Sequence, residues 1–300
     1  MSEMADHTIG AGAAVGRVHA ERSAARRELA VALLHSKTFL AGALIIGYWV
    51  FWALAGARLT PYDPFADTDR IARSPSFAHV FGTDQLGRDI FSRVHAGAAG
   101  ILGIAPLATL LGLAAGTALG LIIGYFAGSA IEEVIGRIID ATLALPVLVL
   151  AVFVIAVLGS TTKTTQAVVI GVAFTPIIAR TVRAAVLGER DLDYVLAART
   201  RGERTPYILL AEILPNVAGP IIVEGTVRLG YALFLVFNLQ FLGFGPQAPS
   251  PDWSLQIREN YSLLANGGYW WTVLFPALAT CSLIVGVLLV ADGLERTFDR

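Results

Sequence analysis

Six runs of apolar residues, each near the length needed to cross a bilayer, limit what this chain can fold into. A helix rises 1.5 Å per residue, so about 20 apolar residues span the hydrocarbon. The runs lie at 39–57, 97–126, 131–158, 167–187, 213–239 and 270–290. Hydrophobic residues make up 55% of the 300 residues and charged ones 15%, against about 25% charged in soluble domains. The expected fold class is an all-α integral membrane protein of six transmembrane helices. A polar tail at 1–37 precedes a single six-span domain at 38–300. The tail holds Arg17, Arg22, Arg26, Arg27 and Lys37, and its polar region is too long for a cleavable signal peptide.

Local composition adds detail to the runs. The second is rich in Gly, Ala and Thr, which suits close approach of helices. The third opens with Glu132, Glu133, Arg137 and Asp140, with Asp140 and Arg137 as a structural i, i+3 pair. Pro146 and Pro176 mark expected kinks. The single cysteine, Cys281, lies in an apolar run and is expected to be a small packing residue. The segment 241–269 reads as a proline-broken loop.

Six spans place both termini on one side of the membrane. With both ends cytoplasmic, the inner segments carry about twice as many Arg and Lys as the outer ones, which fits the positive-inside rule. The inner set includes Arg180, Arg183, Arg190, Arg199, Arg201 and Arg204. These surround a polar, Arg-rich interruption at 191–220, which the expected loop at 188–212 overlaps. Asp191 is placed to cap a first helix, Gly202 to end it in the left-handed conformation, and Thr205-Pro206 to start a second.

Several chemistries are missing. Lys37-Thr38 and Lys163-Thr164 lack the glycines of a phosphate-binding loop, so the chain has no recognisable ATP site. There is no Gly-x-Ser-x-Gly elbow and no His-Glu-x-x-His pair, so no catalytic residue is assigned. His7, His19, His35, His79 and His95 are scattered outside the runs, and no metal site is expected. The net charge of -1 and the lack of a basic, aromatic-studded patch argue against nucleic acid. What remains is a transporter or channel, a receptor, or an assembly factor.

Five strings in order resemble a known family. They are Gly82–Arg93 (GTDQLGRDIFSR); Gly124–Gly128 (GYFAG) with Arg137, Asp140 and Pro146; Tyr194–Arg199 (YVLAAR) with Gly202 and Ile213–Asn216 (ILPN); Phe241–Gly245 (FLGFG) with Pro249, Trp253 and Leu255; and Asp292–Leu294 with Asp299-Arg300. The chain resembles a permease subunit of a bacterial ATP-binding-cassette importer, in the dipeptide/oligopeptide/nickel branch, of the C-type. The docking loop of such permeases often begins Glu-Ala-Ala, and here Leu196 stands first.

The resemblance implies a type I ABC importer permease fold in the inner membrane, forming half of a heterodimeric pore. Its implied partners are a second permease subunit, two ATPase domains and an extracytoplasmic substrate-binding protein. ATP and Mg would be bound by the ATPase partner, with no cofactor in this chain. Ala197, Ala198, Arg199, Gly202, Leu214 and Pro215 would form the element that couples to the ATPase. Peptides are the implied substrate, with nickel, glutathione or oligosaccharide as alternatives; an ion-gradient-driven secondary transporter is the reading from a different class.

Two further sets of charges stand out. Glu224 and Arg228 are spaced i, i+4, about 15 and 21 Å along the helix from Leu214. Charges at such depth need a partner or a water-filled path, so they either line the translocation path or tie helices together. Gly82–Arg93 has two readings: a lining of the outer mouth or contact for a binding protein, and, favoured, a capped turn and interfacial amphipathic helix with Asp84 as its cap and Asp89 paired to Arg93.

Overall fold

The computed structural model describes residues 31–298; most of the expected tail, with His7 and His19, and the end of the Asp299-Arg300 string lie outside them. Nine helices carry the fold of these residues. They are α1 Lys37–Ala55, α2 Ile90–Tyr125, α3 Ala130–Leu143, α4 Val147–Leu158, α5 Lys163–Glu189, α6 Asp193–Thr200, α7 Ala218–Leu239, α8 Trp253–Gly267 and α9 Trp271–Phe298. Short helical turns join some of them, and the sole extended pairing among the described residues is the isolated bridge Thr83–Asp89. Short polar side chains start many of the long elements. Ser36, Asp89, Ser129, Thr162 and Asp252 each accept a backbone N–H from the first turn of the helix that follows.

Helices α1, α2, α5, α7 (continued through Phe244) and α9 are each long and apolar enough to cross a membrane. The sixth candidate span is a bent pair of helices. The expected continuous helix at 131–158 is two helices, α3 and α4, meeting at 90°. Pro146 lacks an N–H and disfavours helical geometry in the residue before it, so the first helix stops at Leu143 and a new one begins at Val147. Pro176 and Pro106, by contrast, sit inside the continuous helices α5 and α2.

The α2–α5 pair is the centre of the core. Gly112, Gly116, Gly120 and Gly124 recur every four residues along one stripe of α2. They face Phe174, Ile178, Val182 and Val186, which recur with the same spacing on α5. A Cβ on Gly116 would lie 2.6 Å from the Ile178 Cβ, and one on Gly120 2.6 Å from that of Val182. The glycine-rich run thus brings the two backbones together as its composition predicts. A second close crossing joins α1 to α9, where Gly42 meets Gly286 and Val290, and Gly293 meets Phe39.

The structure revises several expectations. The 241–269 segment is no plain loop: Asp252 caps the 15-residue helix α8, which buries Trp253, Leu255 and Ile257. A short amphipathic helix is easily hidden behind a proline-rich lead-in. His95 lies within α2 rather than before it, buried, with its ring in contact with Trp52 and Phe91 and 2.6 Å from the Tyr48 hydroxyl. Cys281 is exposed on α9 rather than packed. Asp140 pairs with Arg180 of α5, not with Arg137, which pairs with Glu133 at 2.6 Å. The i, i+4 spacing brings Arg137 to Glu133 and leaves Asp140 for the neighbouring helix.

Candidate coupling site

The chain leaves α5 at Glu189 and turns at once into α6. Asp191 does not cap this helix. Leu192 occupies the cap position with no side-chain bond, and Asp191 pairs instead with Arg190 at 3.1 Å. The other end matches expectation. Gly202 has φ +74, its N–H donates to Arg199 O at 3.0 Å, and the Glu203 N–H donates to Ala198 O at 3.2 Å. These two bonds satisfy the last carbonyls of α6 and turn the chain sharply. A Cβ at Gly202 would meet open space, so the demand for glycine is conformational, not steric.

The second helical element begins with Thr205 as its first residue, after Arg204 in the cap position, so Thr205 is not the cap. Pro206 sits in the first turn. The segment Ile208–Ile213 is then wound as a π-helix, Leu214–Asn216 forms a short α turn, and α7 begins only at Ala218. The fifth membrane helix therefore starts later than the apolar run suggests. Leu214 is half-buried and Pro215 exposed.

α6 has two faces. Val195 and Ala198 are fully buried, while Leu192, Leu196, Ala197, Arg199, Thr200 and Arg201 are exposed. Of the adjacent alanines, only Ala197 is open to a partner; Ala198 is needed for packing within the chain. The Tyr194 hydroxyl donates to Glu189 at 2.7 Å. Burial, then the neighbouring Glu189 carboxylate, pushes this phenol up to about 12, so it remains a donor throughout neutral pH. Arg201 makes exposed pairs with Glu203 at 3.8 Å and Glu212 at 3.4 Å.

Arg199 turns back onto its own chain. Its guanidinium lies 4.7 Å from the centroid of the Tyr125 ring, at the end of α2, and donates to Arg190 O at 3.2 Å. Arg190 in turn donates to the carbonyls of Ala127 at 3.0 Å and Tyr125 at 3.5 Å. Beside these residues Arg183 donates to Glu132 of α3 at 2.8 Å.

Glu224 and Arg228 form the predicted pair, 2.5 Å apart and both largely buried. Glu224 also lines an open cavity of about 570 Å³ with Thr181, Asn216, Val223 and Glu295. Arg228 lies 5.2 Å from the Tyr231 ring. Pairing and cavity thus coexist at this position.

Gly82–Arg93, at the opposite end of α2, is not an interfacial amphipathic helix. Asp89 rather than Asp84 caps α2, and Asp89 pairs with His79 at 2.9 Å rather than with Arg93. Asp84 bonds the backbone N–H groups of Leu86 and Arg88 and the Arg88 side chain at 2.7 Å. Arg88 also reaches Glu259 of α8 at 2.9 Å. Arg93 lies 3.6 Å from both Asp84 and Glu259 and donates to Ser250 O at 2.8 Å. Arg88 is 2% exposed and Arg93 0%. Sequence reasoning missed this cluster because Glu259 is far along the chain; only the i, i+4 spacing of Asp84 and Arg88 pointed to it.

Known proteins match over most of the chain. The family described as "Binding-protein-dependent transport system inner membrane component" matches residues 116–300. The dipeptide transport system permease protein DppC of Alkalihalophilus pseudofirmus is 35% identical, over 91% of this chain and 89% of its own length. The glutathione transport system permease protein GsiD of Pectobacterium atrosepticum is 35% identical over 83% and 81%. The di/tripeptide transport system permease protein DppC of Pseudomonas aeruginosa is 34% identical over 88% of each.

Proposed function

The chain belongs to the family of binding-protein-dependent transport system inner membrane components, and from that premise we propose that it forms half of the pore of an ATP-driven peptide importer. A second permease subunit completes the pore. Two cytoplasmic ATPase domains bind ATP and Mg, and an extracytoplasmic binding protein delivers substrate. The termini and α6 face the cytoplasm. Family membership displaces the ion-gradient reading. Dipeptides and glutathione are the favoured cargo, because relatives named for both are about equally similar to this chain.

The observation that carries the coupling role is the geometry of α6. It is a short helix, closed at one end by Gly202, with one face buried in its own chain and Leu192, Leu196 and Ala197 presented outward. A rigid knob of this kind can pass a push from an ATPase to the membrane helices.

Glu224 and Arg228 are assigned to the translocation path, since Glu224 opens onto a cavity while paired. A carboxylate and a guanidinium side by side complement the amine and carboxylate ends of a peptide. Purification with co-expressed ATPase subunits, followed by uptake in proteoliposomes, tests the assignment. ATP-dependent peptide uptake is expected, and transport by this chain alone without ATP would overturn it. In the same assay Glu224→Gln and Arg228→Gln should impair free peptides more than end-blocked ones; equal impairment would make the pair purely structural.

A further inference from the structure

We propose that Arg190, Arg199 and Tyr125 form a clasp that ties α6 directly to α2, so that a displacement of α6 is carried along α2 to the opposite face of the protein. This rests on the reading of α6 as the ATPase-docking element.

Covalently, α6 is continuous with α5 before it and with the turns leading to α7 after it. It has no covalent link to α2, which ends 68 positions before α6 begins. The clasp supplies a direct, non-covalent connection. Arg190 donates to the Ala127 and Tyr125 carbonyls, which lie at and just past the end of α2, where the helix leaves carbonyls without internal partners. A cation there also suits the negative end of the helix dipole. Arg199, from α6 itself, stacks its guanidinium on the Tyr125 ring and closes the ring of contacts through Arg190 O. Arg199 is exposed and Arg190 half-buried, so neither is a core residue required for packing.

α2 is suited to act as a rod. Its 36 residues run about 54 Å. The four-glycine stripe locks it along α5, which leaves no room for the two helices to slide. Its far end is fixed by the Asp89 cap and by Arg93, within the buried cluster that reaches α8. Motion at Tyr125 is therefore communicated along one continuous helix toward Asp89 and Arg93, with Pro106 between the glycine-locked half and that far end. The clasp acts by positioning; it touches neither nucleotide nor cargo.

The test uses the complete complex in proteoliposomes, measuring peptide transported per ATP hydrolysed. Tyr125→Ala and Arg199→Ala are each expected to lower that ratio about two- to fivefold, the scale of one exposed cation–π contact. The apparent KM for peptide and the amount of assembled complex should stay unchanged. Tyr125→Phe keeps the ring and should restore the ratio. Should Tyr125→Ala fail to assemble, Tyr125→Leu, which keeps apolar bulk without the aromatic face and leaves the coupling residue Arg199 in place, carries the test. An unchanged ratio in an assembled Tyr125→Leu or Arg199→Ala complex, or a Tyr125→Phe defect as large as that of Tyr125→Ala, overturns the proposal. Gly202→Val separates this from the underlying reading. If Gly202→Val uncouples and the clasp variants do not, the clasp alone is wrong; if Gly202→Val also couples normally, the role of α6 falls with it.

Discussion

The two ends of α2 carry two segments that read alike in sequence and behave oppositely in the fold. Gly82–Arg93 and Asp191–Arg204 are both short, rich in Asp and Arg, and placed beside long apolar runs. At the first, Arg88 and Arg93 are buried and held between Asp84 and Glu259. At the second, Arg199 and Arg201 are exposed, and only part of their bonding capacity is used within the chain. The difference is one of enclosure. Two carboxylates and two guanidiniums brought together can leave water as a set, provided each has partners. The second segment also matches its three arginines with three carboxylates, Asp191, Asp193 and Glu203, but they stand at the surface and stay open to other molecules. The closed cluster gives α2 a fixed end, and the open loop offers a surface.

This contrast predicts effects of different size and kind. The largest belongs to the closed cluster. Arg93→Ala would remove one of the two guanidiniums facing Asp84 and Glu259 and empty a fully buried site, which costs about 3–5 kcal/mol. Such a variant should lose most of its folded yield in detergent, read by size-exclusion chromatography and thermal aggregation; wild-type stability would show that the cluster is solvated.

Gly202→Val comes next and should differ in kind. A side chain in the left-handed region costs about 1–2 kcal/mol, and there is space for it, so membrane insertion survives. Coupled transport should be abolished, because the turn that aims α6 is distorted. Arg201→Ala should be the mildest for folding, at under about 1 kcal/mol, as expected for an exposed pair. A thermal shift near zero is expected, and a shift as large as that of Arg93→Ala would erase the distinction between the two segments.

How much could be read from residues alone follows the same division. Local signals were legible: the six apolar runs, the glycine-rich α2, the Gly202 turn, and the Glu224–Arg228 pair all depend on neighbours within a few positions. The right-angle break at Pro146 was visible as a proline but not as a bent pair of helices, because a kink and a full break share the same residue. The enclosure of Arg88 and Arg93 involves Glu259 of α8, 171 positions from Arg88, and no periodicity reports such a contact. The same holds for the Arg199–Tyr125 stack, which turns an arginine explicable by membrane topology into one with a specific partner. The inactivity of Asp191 as a cap shows a local signal overridden: Arg190 pairs with it, and the turn from α5 places Leu192 at the cap position instead.

The most direct test of the central claim uses the adjacent alanines of α6. With Cys281 replaced by Ser, Ala197→Cys and Ala198→Cys would each present one thiol, the first on the exposed face and the second buried. In membranes holding the assembled complex, a short bifunctional maleimide should join Ala197→Cys to an ATPase subunit and leave Ala198→Cys unjoined. Cross-linking from Ala198→Cys alone, or labelling of Ala197→Cys by an impermeant maleimide from the extracytoplasmic side, would contradict the assignment of α6 as the coupling helix.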